Sequence, residues 1–106
     1  MSAILEHEAV LQIGPDHPAL PGHFPGAPLV PGVVLLDRVL SCAEQWLGRP
    51  LTLRSLPQAK FVAPLLPDQQ AVMRLQWRND ELRFTIAAGT ATIAQGLMQF
   101  AQERRP

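Results

Sequence analysis

The clearest alternation in the chain runs over Ala71–Arg78, where Met73, Leu75 and Trp77 interleave with Val72, Arg74, Gln76 and Arg78. That is the period of a half-buried strand. Asn79-Asp80 makes a turn, Glu81–Ala88 is the returning strand, and Thr90–Ala101 follows after Gly89. Leu51–Ser55 and Gln58–Val62 read as one bent strand or as two, and Ala9–Ile13 as a short strand near the start. Between these segments the period changes. In PGVVLLDRVLSCAEQWL, Pro31 to about Leu47, projection at about 100° per residue gathers Leu35, Leu36, Val39, Leu40, Cys42, Ala43, Trp46 and Leu47 into one wide apolar arc. Arg38, Ser41, Glu44 and Gln45 fall on the other side, with Asp37 at the edge of that polar stripe. Pro31 suits the first helical position, and Gly48 followed by Pro50 supplies the stop. The pattern predicts an α+β fold, one long helix set against a mostly antiparallel sheet of five or six strands.

Length and composition fit this picture: 106 residues, 11.7 kDa and 47% apolar positions are enough for one modest core, so residues 1–106 read as a single domain. Nine basic residues balance nine acidic ones, so no global field draws the chain to nucleic acid or anionic lipid. Cys42 has no second cysteine to pair with. The opening MSAILEHEAV carries acids where a signal peptide carries basic residues, and no apolar run reaches the roughly 18–20 residues of a membrane span. The expected setting is the cytoplasm. No Cys/His cluster has metal-ligand spacing, which points to chemistry or binding with no metal and no cofactor of the protein's own.

Proline is unevenly spread. Six of the 11 prolines lie between Pro15 and Pro31, alongside Gly14, Gly22 and Gly26, and no helix survives there. A polyproline ligand is one reading. Leu20, Phe24, Leu29 and Val30, running without a polar break into the helix, favour a rigid loop delivered onto a buried element. Three features of this region can act together. His23 is an imidazole able to take or give a proton at neutral pH. The helix start at Gly32 offers unpaired N–H groups to an oxygen gaining negative charge. Asp37 is a carboxylate five residues further on, about 7.5 Å along the axis. Each also has a plainer reading, His23 as a loop residue bonded to backbone and Asp37 as a solvated surface acid. His7, and His17 in the Pro15–Pro18 turn, carry less signal, and Cys42 within the apolar arc reads as packing.

His-Phe-Pro-Gly-x-Pro-x-x-Pro-Gly-Val from His23 to Val33, with an acid 14 residues after the histidine, resembles the signature of the β-hydroxyacyl-[acyl-carrier-protein] dehydratases, the FabA/FabZ-like group with the hotdog fold. Lys60-Phe61, Pro64 and Pro67-Asp68 look like that family's strand and turn after the helix, and Ala94–Met98 like its last strand. The resemblance implies a long helix wrapped by a curved antiparallel sheet, and a homodimer whose composite sites take His23 from one chain and Asp37 from the other. It further implies that the Gly32 N–H binds the thioester carbonyl and that Phe24, Val33 and Phe61 line the acyl tunnel. The implied reaction is dehydration of (3R)-hydroxyacyl thioesters, carried on the phosphopantetheine of acyl carrier protein, to trans-2-enoyl thioesters in fatty-acid or related polyene synthesis. A carboxylic acid holds its proton near neutrality only where burial disfavours the charge, so the implied site is dry. Asp37 stands where most single-domain members carry glutamate; aspartate is typical of a longer branch that also isomerises the double bond, so isomerisation stays open.

Two other classes compete. Hotdog proteins include acyl thioesterases, and a non-catalytic acyl-binding module would use the same groove. An acidic carrier protein calls for a basic rim, for which Arg38, Arg49, Arg54, Lys60, Arg78, Arg104 and Arg105 are available. A free sheet edge suits a dimer, and the sequence is silent on a trimer of dimers.

Overall fold

The computed structural model describes residues 3–14 and 29–102. Regular structure there comprises β1 (Leu5–Leu11), α1 (Gly32–Leu47), β2 (Leu53–Phe61), β3 (Ala71–Arg78), β4 (Glu81–Ala88) and β5 (Ala91–Phe100). The strands form one antiparallel sheet in the order β1-β3-β4-β5-β2, so β1 and β2 are its edges. The expected α+β architecture is therefore present, with five strands among the described residues.

The β3–β4 hairpin follows the alternation residue by residue. Asn79 and Asp80 both take left-handed conformations, with φ of 52° and 60°, which gives the two-residue turn the twist that flanking strands demand. The register stacks inward rows across the sheet: Met73, Ile86 and Ala94 in one, Leu75, Phe84 and Gly96 in the next, Trp77, Leu82 and Met98 in a third. All are buried, and all but Gly96 form a single core with Val34, Leu35, Val39 and Ala43 of α1. The opposite rows carry Arg74, Thr85 and Gln95, and Gln76, Arg83 and Leu97.

One strand departs from expectation, and a second settles between two readings. β1 begins at Leu5 rather than Ala9 and stops at Leu11. Its alternation is masked in the sequence because inward-facing His7 is polar and outward-facing Val10 is apolar. His7 stacks on Trp46 of α1, ring centroids 5.1 Å apart and planes 13° from parallel. The segment after the helix forms one strand, with register shifts between Leu53 and Ser55 and between Ser55 and Gln58. Pro57 sits within it, at a sheet edge where its missing N–H takes nothing from the ladder.

Gly96 holds this edge against the rest of the sheet. A β-carbon there would collide with the Gln58 carbonyl and come within 2.8 Å of Cε1 of the buried Phe84 ring. Neither neighbour can yield cheaply, so Gly96→Ala is expected to destabilise the protein by about 3 kcal/mol. A lower urea midpoint at unchanged slope would register the loss.

The helix is closed at both ends. Pro31 is its N-cap rather than its first helical residue, and the Pro31 carbonyl accepts from Val34 N–H at 3.0 Å. At the other end Gly48, with φ 74°, lets its N–H reach the Glu44 carbonyl at 2.9 Å. The Glu44 carboxylate accepts the Leu51 N–H at 2.8 Å and so starts the chain toward β2. Val34 is buried although it falls outside the arc predicted from periodicity. The first turn of α1 shares the core with Val30 and Leu65, two segments tied to each other by the Val30 N–H on the Leu65 carbonyl at 2.9 Å.

Candidate active site at the helix start

Gly32 opens α1 and faces a cleft of about 470 Å³ lined chiefly by Val30, Pro31, Leu35, Phe61 and Leu65. The walls are apolar. The N–H groups of Val34 and Leu35 turn to the Pro31 carbonyl, at 3.0 and 3.4 Å, which leaves those of Gly32 and Val33 without a partner among the described residues. A carbonyl oxygen entering the cleft would meet these donors beside an apolar wall, where a hydrogen bond to a developing negative charge is stabilising.

Phe61 ends β2 and pairs with Ala94, which puts it on the same sheet face as Ile86 and Met73 and directs it toward the helix. A β-carbon on residue 32 would lie 2.8 Å from Cε1 and Cζ of its ring. Ring and helix start can touch only because residue 32 has no side chain. Beyond Phe61, the N–H groups of Val62 and Ala63 both donate to the Ile93 carbonyl, at 2.8 and 3.2 Å. The far side of the loop is pinned where Asp68 N–H donates to the Ile13 carbonyl at 2.7 Å.

The structure thus brings Gly32 and Phe61 together in one cleft. Val33 is 70% exposed and lies outside the cleft lining, and Asp37 is also exposed. These two are four residues apart on α1 and so share a face. Asp37 has no hydrogen-bond or ion-pair partner among the described residues. His23 and Phe24, like His17, Arg104 and Arg105, lie outside the described residues. Leu65, a cleft wall that sequence reasoning did not single out, reads in the sequence as an ordinary apolar position. Cys42 is half-buried, and burial pushes its thiol up from the ordinary value, which suits packing rather than nucleophilic chemistry.

A second hollow, of about 520 Å³, lies against β1, β3 and β4 and is lined mainly by Glu6, Glu8, Arg74, Gln76 and Arg83. Its ion pair, Arg74 to Glu8 at 3.4 Å, is largely exposed and worth little. Its lining is charged and polar, where the cleft at Gly32 has an apolar wall beside the leading amides of the helix. Of the basic residues expected at a docking rim, Arg49 stacks over the Trp77 ring at 5.6 Å, and Lys60 sits opposite Gln95 in the register, on the other sheet face from Phe61.

An antiparallel sheet packed around one long helix, with the helix start opening on an apolar cleft, is the hotdog arrangement, here of the dehydratase type. The chain belongs to the ApeI-like family, whose model, described as ApeI dehydratase, matches residues 3–97. It is 28% identical over 94 residues to the 3-hydroxyacyl-[acyl-carrier-protein] dehydratase FabZ of Haemophilus influenzae strain PittEE, covering 81% of this chain and 64% of that protein. The FabZ of Pasteurella multocida is 30% identical over 94 residues, covering 81% of this chain and 62% of that protein. The chain therefore spans less than two thirds of the length of these curated relatives. Among solved structures, the dehydratase heterocomplex ApeI:P from Xenorhabdus doucetiae superposes with a TM-score of 0.83 at 25% identity, covering 96% of this chain and 97% of that one. An uncharacterised protein from Erwinia carotovora subsp. atroseptica does so with a TM-score of 0.75 at 29% identity, covering 95% and 96%.

Proposed function

We propose that this chain removes water from (3R)-hydroxyacyl thioesters, presented on the phosphopantetheine of acyl carrier protein in the cytoplasm, to give trans-2-enoyl thioesters at composite sites in a dimer. In this reading the thioester carbonyl oxygen takes the Gly32 N–H. That bond strengthens as the α-proton leaves and charge moves onto the oxygen. His23 of one chain removes the α-proton, and Asp37 of the partner chain delivers a proton to the departing 3-hydroxyl. One C–H and one C–O bond break, a C=C bond forms, and water leaves.

The observation that carries the reading is the apolar cleft in front of Gly32, at the end of an intact His-Phe-Pro-Gly-x-Pro-x-x-Pro-Gly-Val run. Two further features support a paired assembly. The outer edge of β2 has no neighbour among the described residues, and Leu53 and Val62 on or beside it are exposed. Val33 and Asp37 form a second exposed strip, an apolar residue beside an acid, suited to facing another chain.

The test follows product. Incubation with a 3-hydroxyacyl-carrier thioester is expected to raise the absorbance of a conjugated enoyl thioester without release of free thiol. Thiol release would instead favour a thioesterase, and binding without either product an acyl-binding module. Light scattering on the same sample is expected to give twice 11.7 kDa. The ApeI:P heterocomplex supports a second reading of the partner, a different dehydratase chain, and a monomer by light scattering would select it.

A further inference from the structure

The Phe61 ring is in an unusual position for an aromatic side chain. Its register neighbours on the inner face, Ala94, Ile86 and Met73, are all buried, whereas Phe61 is 51% exposed. It therefore packs on one side only. The residues around it are fixed more firmly: β2 is hydrogen-bonded to β5 as far as Phe61, Val62 and Ala63 share the Ile93 carbonyl, and Leu65 is bonded to Val30 across the cleft. The backbone of this wall is held, and the half-exposed ring is its least enclosed part.

The place the ring occupies matters to any ligand. Its rim fills the space beside the Gly32 Cα where a side chain would otherwise begin. A thioester that lays its carbonyl oxygen on the Gly32 N–H brings its α- and β-carbons past that same rim. We propose that Phe61 is a gate and a specificity-determining residue: its ring covers the helix start when the cleft is empty, turns aside to admit an acyl group, and then sets how wide that group may be next to its carbonyl. The proposal rests on the reading of the cleft as an acyl thioester site, but not on the chemistry done there.

The experiment compares two unreactive thioesters, butyryl-pantetheine and 3,3-dimethylbutyryl-pantetheine, by calorimetric titration of the whole protein. The wild type is expected to favour the narrow ligand by about tenfold or more, the scale on which an apolar pocket discriminates by one or two methyl groups. Phe61→Ala should abolish the preference, tightening the branched ligand by about tenfold and weakening the straight one a few-fold through lost contact; Phe61→Leu should fall between. Because the ring is half exposed, both variants are expected to keep the wild-type melting profile within a few degrees. A merely structural ring would lower both affinities together, and a discrimination ratio unchanged within twofold, or no binding of either ligand by the wild type, would overturn the proposal. Turnover of 3-hydroxybutyryl-pantetheine, followed in parallel, separates the two ideas. Ring-dependent discrimination without turnover keeps the gate and rejects the dehydratase reading, while turnover with an unaltered ratio does the reverse.

Discussion

His23→Ala is expected to lower kcat for dehydration by about 10²-fold or more, the ordinary contribution of a positioned base to proton transfer. Binding of a saturated acyl thioester should stay within about twofold, because the contacts that hold the acyl group, the Gly32 amide and the apolar cleft wall, are untouched. That split between kcat and affinity distinguishes the enzyme from its two competitors. In an acyl-binding module the imidazole would leave ligand binding and biological effect unchanged when removed. In a thioesterase a carboxylate activates water at the same carbonyl, and loss of His23 would not selectively remove the enoyl product. Steady-state kinetics on a 3-hydroxyacyl thioester, paired with calorimetry on its saturated counterpart, reads both quantities.

Asp37→Asn is expected to cost a comparable factor, about 10²-fold in kcat, since the amide keeps the shape of the side chain but cannot deliver a proton to the leaving hydroxyl. Its effect on stability should be within about 0.5 kcal/mol, as for other exposed positions without a partner in the fold. The contrast with Gly96→Ala is informative. Asp37 lies on the exposed face of α1, whereas Gly96 lies under a buried ring and a backbone carbonyl. A large fall in urea midpoint for Asp37→Asn would mark the residue as part of the scaffold and remove it from the chemistry.

Much of the fold is legible in the chain because local and global patterns agree. The β3–β4 hairpin reads directly from alternation and from Asn79-Asp80, two residues that tolerate the left-handed backbone a tight hairpin requires. Pro31 and Gly48 bracket the helix for equally local reasons. Elsewhere the local signal is blurred by a tertiary contact. The first strand is longer than its hydrophobic pattern suggests because His7, a polar residue, faces inward and finds the Trp46 ring. Val34 escapes a 3.6-residue arc because the first turn of the helix is covered by segments from other parts of the chain.

The site divides in the same way. Gly32 and Asp37 are set by helix geometry, so their separation follows from residue count. The meeting of Phe61 with Gly32 depends on the register of β2 against β5 and on a glycine with nothing beyond its Cα, neither of which has a periodic signature. Resemblance to the dehydratases pointed to Phe61 where periodicity did not. The dryness expected of the carboxyl has no counterpart in the single chain, where Asp37 is exposed.

The central claim is that an imidazole from one chain serves with a carboxyl from the other. Mixing His23→Ala with Asp37→Asn, each inactive alone, after dissociation and reassembly tests it most directly. In a dimer with shared sites, half the reassembled dimers are mixed and each mixed dimer keeps one of its two sites whole, so activity is expected to recover to about a quarter of the wild type. If the mixture stays as inactive as its components although mixed dimers have formed, the two residues do not work across the interface.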